Sequence, residues 1–397
     1  MSVSSAPPPG GPSPAAASAR HGLVDVLRGL ALFGILVVNL EFIASPPFEG
    51  WYAFGDSLDQ AARWATVTFF QLKSYLVFSL LFGYGLTIMA SRAPASGLGP
   101  RYMRRMLVLA VLGVLHAVFF YIGDILVTYA LLGALLFPMR NWSTRRLIGI
   151  AAWVYGVGLL VVIGIAALVA ATPVDDPEQG GRTAVYLDGS FLEVAAQRIE
   201  DAPLVLVGGL LLQYPSIMAA FLIGVMVGRG DLLSHPARHA AAARRVMWWC
   251  LPIGFGLSGV AGLAALTADA QGLGPGPALA IVLQTVSGPI AVAGVVAAVV
   301  VLSGRAWWAV VERPLAPAGR ASLSVYLGES IVASLLFAGY GLGLAAAVGP
   351  AGALVFAVVI FAALAGAAAL WLTRFRQGPF EWILRSATYW RVQRLRR

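Results

Sequence analysis

His116 and Asp124 stand eight residues apart in the run Leu115-His116-Ala117 to Gly123-Asp124-Ile125-Leu126, inside an otherwise apolar stretch. Ionisable groups are costly in a bilayer, so each one kept there is a candidate site. An imidazole, with a pKa of about 6.5, takes up and returns a proton near neutral pH. A nearby carboxylate can orient such a ring, as acids do in catalytic pairs. The chain has four histidines, and His116 is the one in an apolar segment. An isolated histidine of this kind is more often structural. Asp124, Asn39 and Lys73, all expected in the same half of the membrane, shift the reading toward general acid–base chemistry with His116, Asp124 and Asn39 as the catalytic candidates.

Other polar residues are candidates for binding. Asp25 and Arg28 lie at one end of the first apolar run, Asn39 and Glu41 at the other. At about 100° per residue, Arg28 and Asn39 fall on nearly one helical face. That stripe must face protein or a water-filled cavity, unless Asp25 and Arg28 simply pair at a helix end. Lys73 is the chain's one lysine and sits within a second apolar run. It either meets an anionic group or buried carboxylate, or snorkels to the interface. Glu329 lies about ten residues into the run that opens Gly319-Arg320-Ala321-Ser322 and passes through Tyr326, and it needs a partner or a proton. Arg105 and Arg320, at helix ends, are placed to grip phosphates or simply to mark topology.

These residues are carried by a chain built for a bilayer. Of 397 residues, 59% are hydrophobic and 11% charged, with a mean hydropathy of +0.82. A soluble domain carries about 25% charged residues. The apolar runs do not alternate, which excludes an outer-membrane barrel and leaves helices. The spacing predicts an all-α polytopic protein with ten spans, near 23–43, 64–90, 104–121, 125–139, 147–171, 204–228, 246–267, 277–302, 322–345 and 350–373. The third and fourth should form a hairpin turning at Gly123-Asp124. Residues 1–19 read as a disordered tail, 20–373 as one helical domain with an external loop at 172–203, and 374–397 as a basic tail.

The net charge of +9 does not point to nucleic acid, because the arginines occupy short loops. One alternating set of loops holds 21 arginines against Asp231, Glu312 and Glu381; the other holds 13 acids against Arg182 and Arg198. The positive-inside rule then places both termini in the cytoplasm. In the loop 173–203, Phe191, Val194, Ala195 and Ile199 share a helical face, as in an interfacial helix. Cys250 lies alone in an apolar run, so no intrachain disulfide forms. No Walker motif, Cys/His cluster or nucleophile elbow is present, and no metal is expected.

The ordered blocks Leu23-Val24-Asp25-Val26-Leu27-Arg28-Gly29 to Asn39, Phe78-Ser79-Leu80-Leu81-Phe82-Gly83, Leu115-His116 with Gly123-Asp124, Phe221-Leu222-Ile223-Gly224, Gly319-Arg320 to Ser330, and Gly378-Pro379-Phe380-Glu381-Trp382 resemble the bacterial YeiB-like family of ten-span proteins. That family is grouped with transmembrane acyltransferases such as heparan-α-glucosaminide N-acetyltransferase. The chain departs from it at Glu329, where glutamine is usual, and at Ser324, where threonine is usual. The resemblance implies an acyltransferase of the bacterial inner membrane. Cytosolic acyl-CoA, notably acetyl-CoA, would be the cosubstrate, its phosphates met by arginines such as Arg28, Arg105 and Arg320. His116 would act as base or acyl carrier, Asp124 would orient it, and Asn39 would polarise a carbonyl or hold an external acceptor. Lys73, Tyr326 and Glu329 complete the candidate binding set, and a homodimer is left open. Two other classes fit the same residues: a proton-coupled transporter or flippase using Glu329, Asp124 and His116, with Pro215, Pro252 and Pro289 as helix breakers, and a non-catalytic scaffold or sensor.

Overall fold

The computed structural model describes residues 14–45, 56–92, 95–171, 179–267, 274–345 and 347–397. Their backbone is helical almost throughout; among the described residues the β-pairing is an isolated antiparallel bridge between Phe375 and Arg396. Of the expected tail, residues 1–13 lie outside the description.

The chain runs through α1 (Pro14–Ala44), α2 (Ser57–Ala65), a π-helical turn (Thr66–Phe70), α3 (Lys73–Arg92), α4 (Ala95–Phe119), α5 (Leu126–Met139) and α6 (Thr144–Ala171). It continues through α7 (Gln179–Asp188), α8 (Phe191–Leu212), α9 (Tyr214–Arg229), α10 (Pro236–Ala265) and α11 (Pro275–Leu302). It closes with α12 (Trp308–Arg320), α13 (Ser322–Phe337), α14 (Pro350–Arg374) and α15 (Pro379–Tyr389). Among the described residues, seven helical stretches are long and apolar enough to cross a membrane, or nine if the bent pairs α8–α9 and α12–α13 each count as one span. The expected fourth span, α5, has 14 residues, short of the roughly 20 a full crossing takes.

The bends correct the simple span picture. The expected span 204–228 breaks at Gln213 with a 56° bend, and Pro215, which cannot continue the α8 hydrogen-bond ladder, opens the new helix. Pro252 and Pro289 lie inside α10 and α11 and end neither. The expected interfacial helix is the start of α8 itself, nucleated by a capping box between Ser190 and Glu193. The expected span 322–345 ends at Phe337, after which residues 338–345 fold back onto it through bonds such as Leu344 N–H to Leu336 O (3.1 Å). α12 meets α13 at 85°.

Small residues set the packing. Gly83 of α3 lies on the Phe221 backbone of α9, and Gly224 of α9 lies on the Leu80 backbone of α3, so the two helices approach at backbone distance. Gly319 sits on the Asp25 backbone in the same way, docking the α12 end on α1. α1 is the most enclosed of the long spans, with Leu27, Leu32, Leu36 and Leu40 fully buried. Trp153, Leu160, Leu206, Leu210, Trp248, Leu263, Val355 and Leu370 point outward from α6, α8, α10 and α14. A soluble surface would not carry such a belt, and a lipid-facing one requires it.

Candidate functional site

The α4–α5 hairpin builds the centre of the site. α4 ends three residues past His116, and the chain turns through Gly123-Asp124 into α5, as the sequence leads one to expect. Asp124 serves the turn twice. Its Oδ2 accepts the Val127 N–H of the first turn of α5 (2.9 Å), and its Oδ1 meets His116 Nδ1 at 2.8 Å. The first contact fixes the carboxylate as a helix cap would; the second fixes the ring. Gly113 makes the closeness possible, because a Cβ there would stand 2.7 Å from both Asp124 Oδ2 and Val127 N.

Tyr326 of α13 completes the cluster. Its hydroxyl donates to Asp124 Oδ1 (3.3 Å) and accepts the Ile125 N–H (3.2 Å), and its ring centroid lies 5.1 Å from that of His116. The hydroxyl hydrogen is spent on the carboxylate, so Asp124 is arranged as an acceptor for Nδ1–H. That tautomer leaves a lone pair on Nε2. His116 is 2% exposed, and among the described residues its Nε2 has no hydrogen-bond partner. A buried, oriented and unspent imidazole nitrogen can take a proton from a bound group.

A cavity of about 630 Å³ adjoins the cluster. Asp124, Tyr326, Tyr121 and Asn39 are in its wall; His116 lies behind Asp124 and Tyr326 rather than in the wall itself. Asn39 keeps its side-chain amide free of protein partners among the described residues, and the Tyr75 hydroxyl, from the same wall, has none either. Glu41 and Arg63 face each other at 2.7 Å in this wall, and Arg198 enters from α8. Arg63 and Arg198 are absent from the sequence-derived site. For Arg198 the available signal was its rarity as an arginine in acid-rich loops.

Lys73 corrects the expectation placed on it. It neither snorkels nor meets a carboxylate. It is 3% exposed, and its Nζ donates to Val67 O (2.9 Å) and Gln284 Oε1 (2.7 Å), while Gln284 Nε2 donates to Val67 O (2.8 Å). The π-helical turn ends in a break at Gln71-Leu72, with Leu72 at φ 68°. Lys73 thus ties the broken segment to α11. Such backbone strain persists where surrounding contacts hold it.

The remaining candidates lie apart. Arg28 pairs with Asp25 at 3.4 Å. Arg28 and Arg385 act electrostatically on Arg105, and Arg320 acts on Asp25. These four arginines gather at the opposite end of the bundle, and none of them is in the cavity wall. From Arg105 to His116 along α4 is roughly 16 Å. Glu329, one helical turn past Tyr326, is 2% exposed, and neither carboxyl oxygen has a hydrogen-bond partner among the described residues. Among the described residues no group of three or more His, Cys, Asp or Glu is arranged to hold a metal.

YxaH of Bacillus subtilis (strain 168), described as an uncharacterized protein, is 30% identical over 95% of this chain and 96% of its own length. The chain belongs to the YeiB-like family. YeiB itself, from Escherichia coli (strain K12) and also described as uncharacterized, is 26% identical over 93% of the chain and 96% of its own length. An uncharacterized 39.9 kDa protein of Bacillus acidopullulyticus is 30% identical over 51% of the chain and 57% of its own. Residues 227–391 match the family described as "Protein of unknown function (DUF418)". That match covers Tyr326 and Glu329, whereas the His116–Asp124 hairpin falls under the full-length relatives. These YeiB-like likenesses give membership in a membrane-protein family and no activity.

Proposed function

We propose that this YeiB-like protein is an acyltransferase of the bacterial cytoplasmic membrane, moving an acyl group from cytosolic acyl-CoA to an acceptor bound at the His116–Asp124 cluster beside the cavity. The observation that carries the reading is the His116 Nε2, buried without a partner while Nδ1 is held by Asp124 at 2.8 Å. In the step this supports, Nε2 takes the proton of an acceptor hydroxyl or amine. The acceptor's lone pair attacks the thioester carbonyl, and the C–S bond breaks. The proton then passes from the imidazolium to the leaving thiolate. Asn39, free in the cavity wall, is the donor for the carbonyl oxygen as charge builds there. Arg28, Arg105, Arg320 and Arg385, gathered at the far end, suit the phosphates of a long, extended donor.

A proton-coupled carrier is the second reading, and Glu329 is what favours it: a buried carboxyl in a membrane helix with no hydrogen-bond partner among the described residues.

Purified protein in detergent, titrated with acetyl-CoA by calorimetry and thermal shift, separates the two. Binding by wild type and His116→Ala alike, with slow hydrolysis of acetyl-CoA by wild type only, is the expected result. Well-folded protein that binds neither acetyl-CoA nor a longer acyl-CoA would overturn the acyltransferase and leave the carrier.

A further inference from the structure

Among the described residues, each charged side chain in the cavity wall but one has its polar groups engaged by a partner. Glu41 and Arg63 neutralise each other at 2.7 Å. Asp124 is taken by His116, Val127 and Tyr326. Arg198 is 6% exposed, stands in the cavity wall and forms no ion pair among the described residues. Its natural mate is Asp201, one turn on, but that carboxylate is occupied by the Tyr186 hydroxyl (2.9 Å) and Gln197 Nε2 (3.1 Å). Of the five N–H groups a guanidinium carries, one reaches a carbonyl, Val118 O, at 3.4 Å. The Tyr186 ring lies 6.0 Å from its Cζ and steadies its position.

A guanidinium held in a cavity wall with most of its donors unspent offers the planar fork that matches a carboxylate or phosphate. Val118 is two residues past His116 on the same helix, so Arg198 meets the end of α4 that carries His116. The geometry points to an acceptor that carries an oxyanion, carboxylate or phosphate, on a largely apolar or uncharged body, with Arg198 receiving the anion. This deepens the acyltransferase reading by naming the class of acceptor, and it rests on that reading for the word acceptor alone. The anion belongs either to a soluble molecule or to a lipid headgroup.

The test places a reporter in the cavity. In a Cys250→Ser chain, Val205→Cys puts one thiol in the wall, and its labelling by a small maleimide is followed. Glucose 6-phosphate and glucuronate should slow labelling while glucose does not. Arg198→Gln should weaken that protection roughly ten- to hundredfold, the worth of a charged hydrogen-bonded pair, and Arg198→Lys should keep part of it. Slower labelling in phosphatidylglycerol than in phosphatidylcholine nanodiscs, lost in Arg198→Gln, would assign the anion to a lipid. Should Arg198→Gln not fold, the full-length Arg198 chain still decides, since equal protection by glucose overturns the proposal. Protection that survives Arg198→Gln, or none by either sugar acid or the anionic lipid, overturns it as well. Protection by the acids in a protein that fails to bind acetyl-CoA would keep the anion site and remove the acyltransferase.

Discussion

The His116 imidazole and the Asp124 carboxylate meet at 2.8 Å across the turn between α4 and α5, and the same carboxylate caps α5 through Val127. One side chain therefore both shapes the hairpin and selects the ring's tautomer. Asp124→Asn separates these duties. The amide oxygen can still accept from Val127 N–H, but an amide NH₂ directed at Nδ1 forces the proton onto Nε2 and removes the base. Turnover of acetyl-CoA should fall by about 10²- to 10⁴-fold, with little loss of thermal stability. A variant that loses stability and keeps its turnover per folded molecule would make the pair a structural one.

Lys73 gives a prediction of the opposite kind. Its amine joins the Val67 carbonyl to Gln284 and holds the break after the π-helical turn. Lys73→Ala should cost roughly 2–4 kcal/mol, as other large-to-small changes in packed interiors do. Lys73→Met, which fills the space, should cost less, chiefly through the Gln284 oxygen left without its donor. Acetyl-CoA affinity should be unchanged in both once the folded fraction is matched. Chemical unfolding and calorimetry on the same preparations check this, and a large affinity loss at unchanged stability would return Lys73 to the ligand.

What the sequence revealed follows the range of each interaction. The hairpin at Gly123-Asp124 and the orienting acid for His116 are local, so spacing alone exposed them. Tyr326 was singled out as a binding candidate, but its hydroxyl reaches Asp124 across 202 residues, and no periodicity reports such a meeting. Lys73 and Gln284 are 211 residues apart, which is why the lysine looked like a free charge. The break at Gln213 falls inside a continuous apolar run, and a length rule counts such a run as one straight span. Arg198 read as one more loop arginine until α8 was seen to carry it into the cavity.

The far end of α13 links stability to pH. Glu381, in the first turn of α15 and outside the spans, accepts from Leu323 N–H (2.6 Å), Ser324 N–H (3.3 Å) and Ser324 Oγ (2.6 Å). These are the N–H groups a helix start leaves without partners. The Ser324 hydroxyl thus adds a side-chain donor to the two backbone ones. Burial pushes the Glu381 carboxyl above its ordinary range, against the pull of these hydrogen bonds. The folded chain then holds a proton that the unfolded chain gives up, and the sign of the linkage follows. The contribution is fully present below the usual glutamate value of about 4.3 and is lost as pH rises through the raised value. Thermal unfolding of wild type should therefore weaken across that window, and Glu381→Gln should flatten the slope. Glu381→Ala should cost about 1 kcal/mol, as a lost cap does, and should speed amide exchange at Leu323 and Ser324. Tyr326 begins the next residues of that helix, so a frayed α13 start should also loosen its hydroxyl from Asp124 and lower turnover. An unchanged pH slope in Glu381→Gln would show that the cap carries no titrating load.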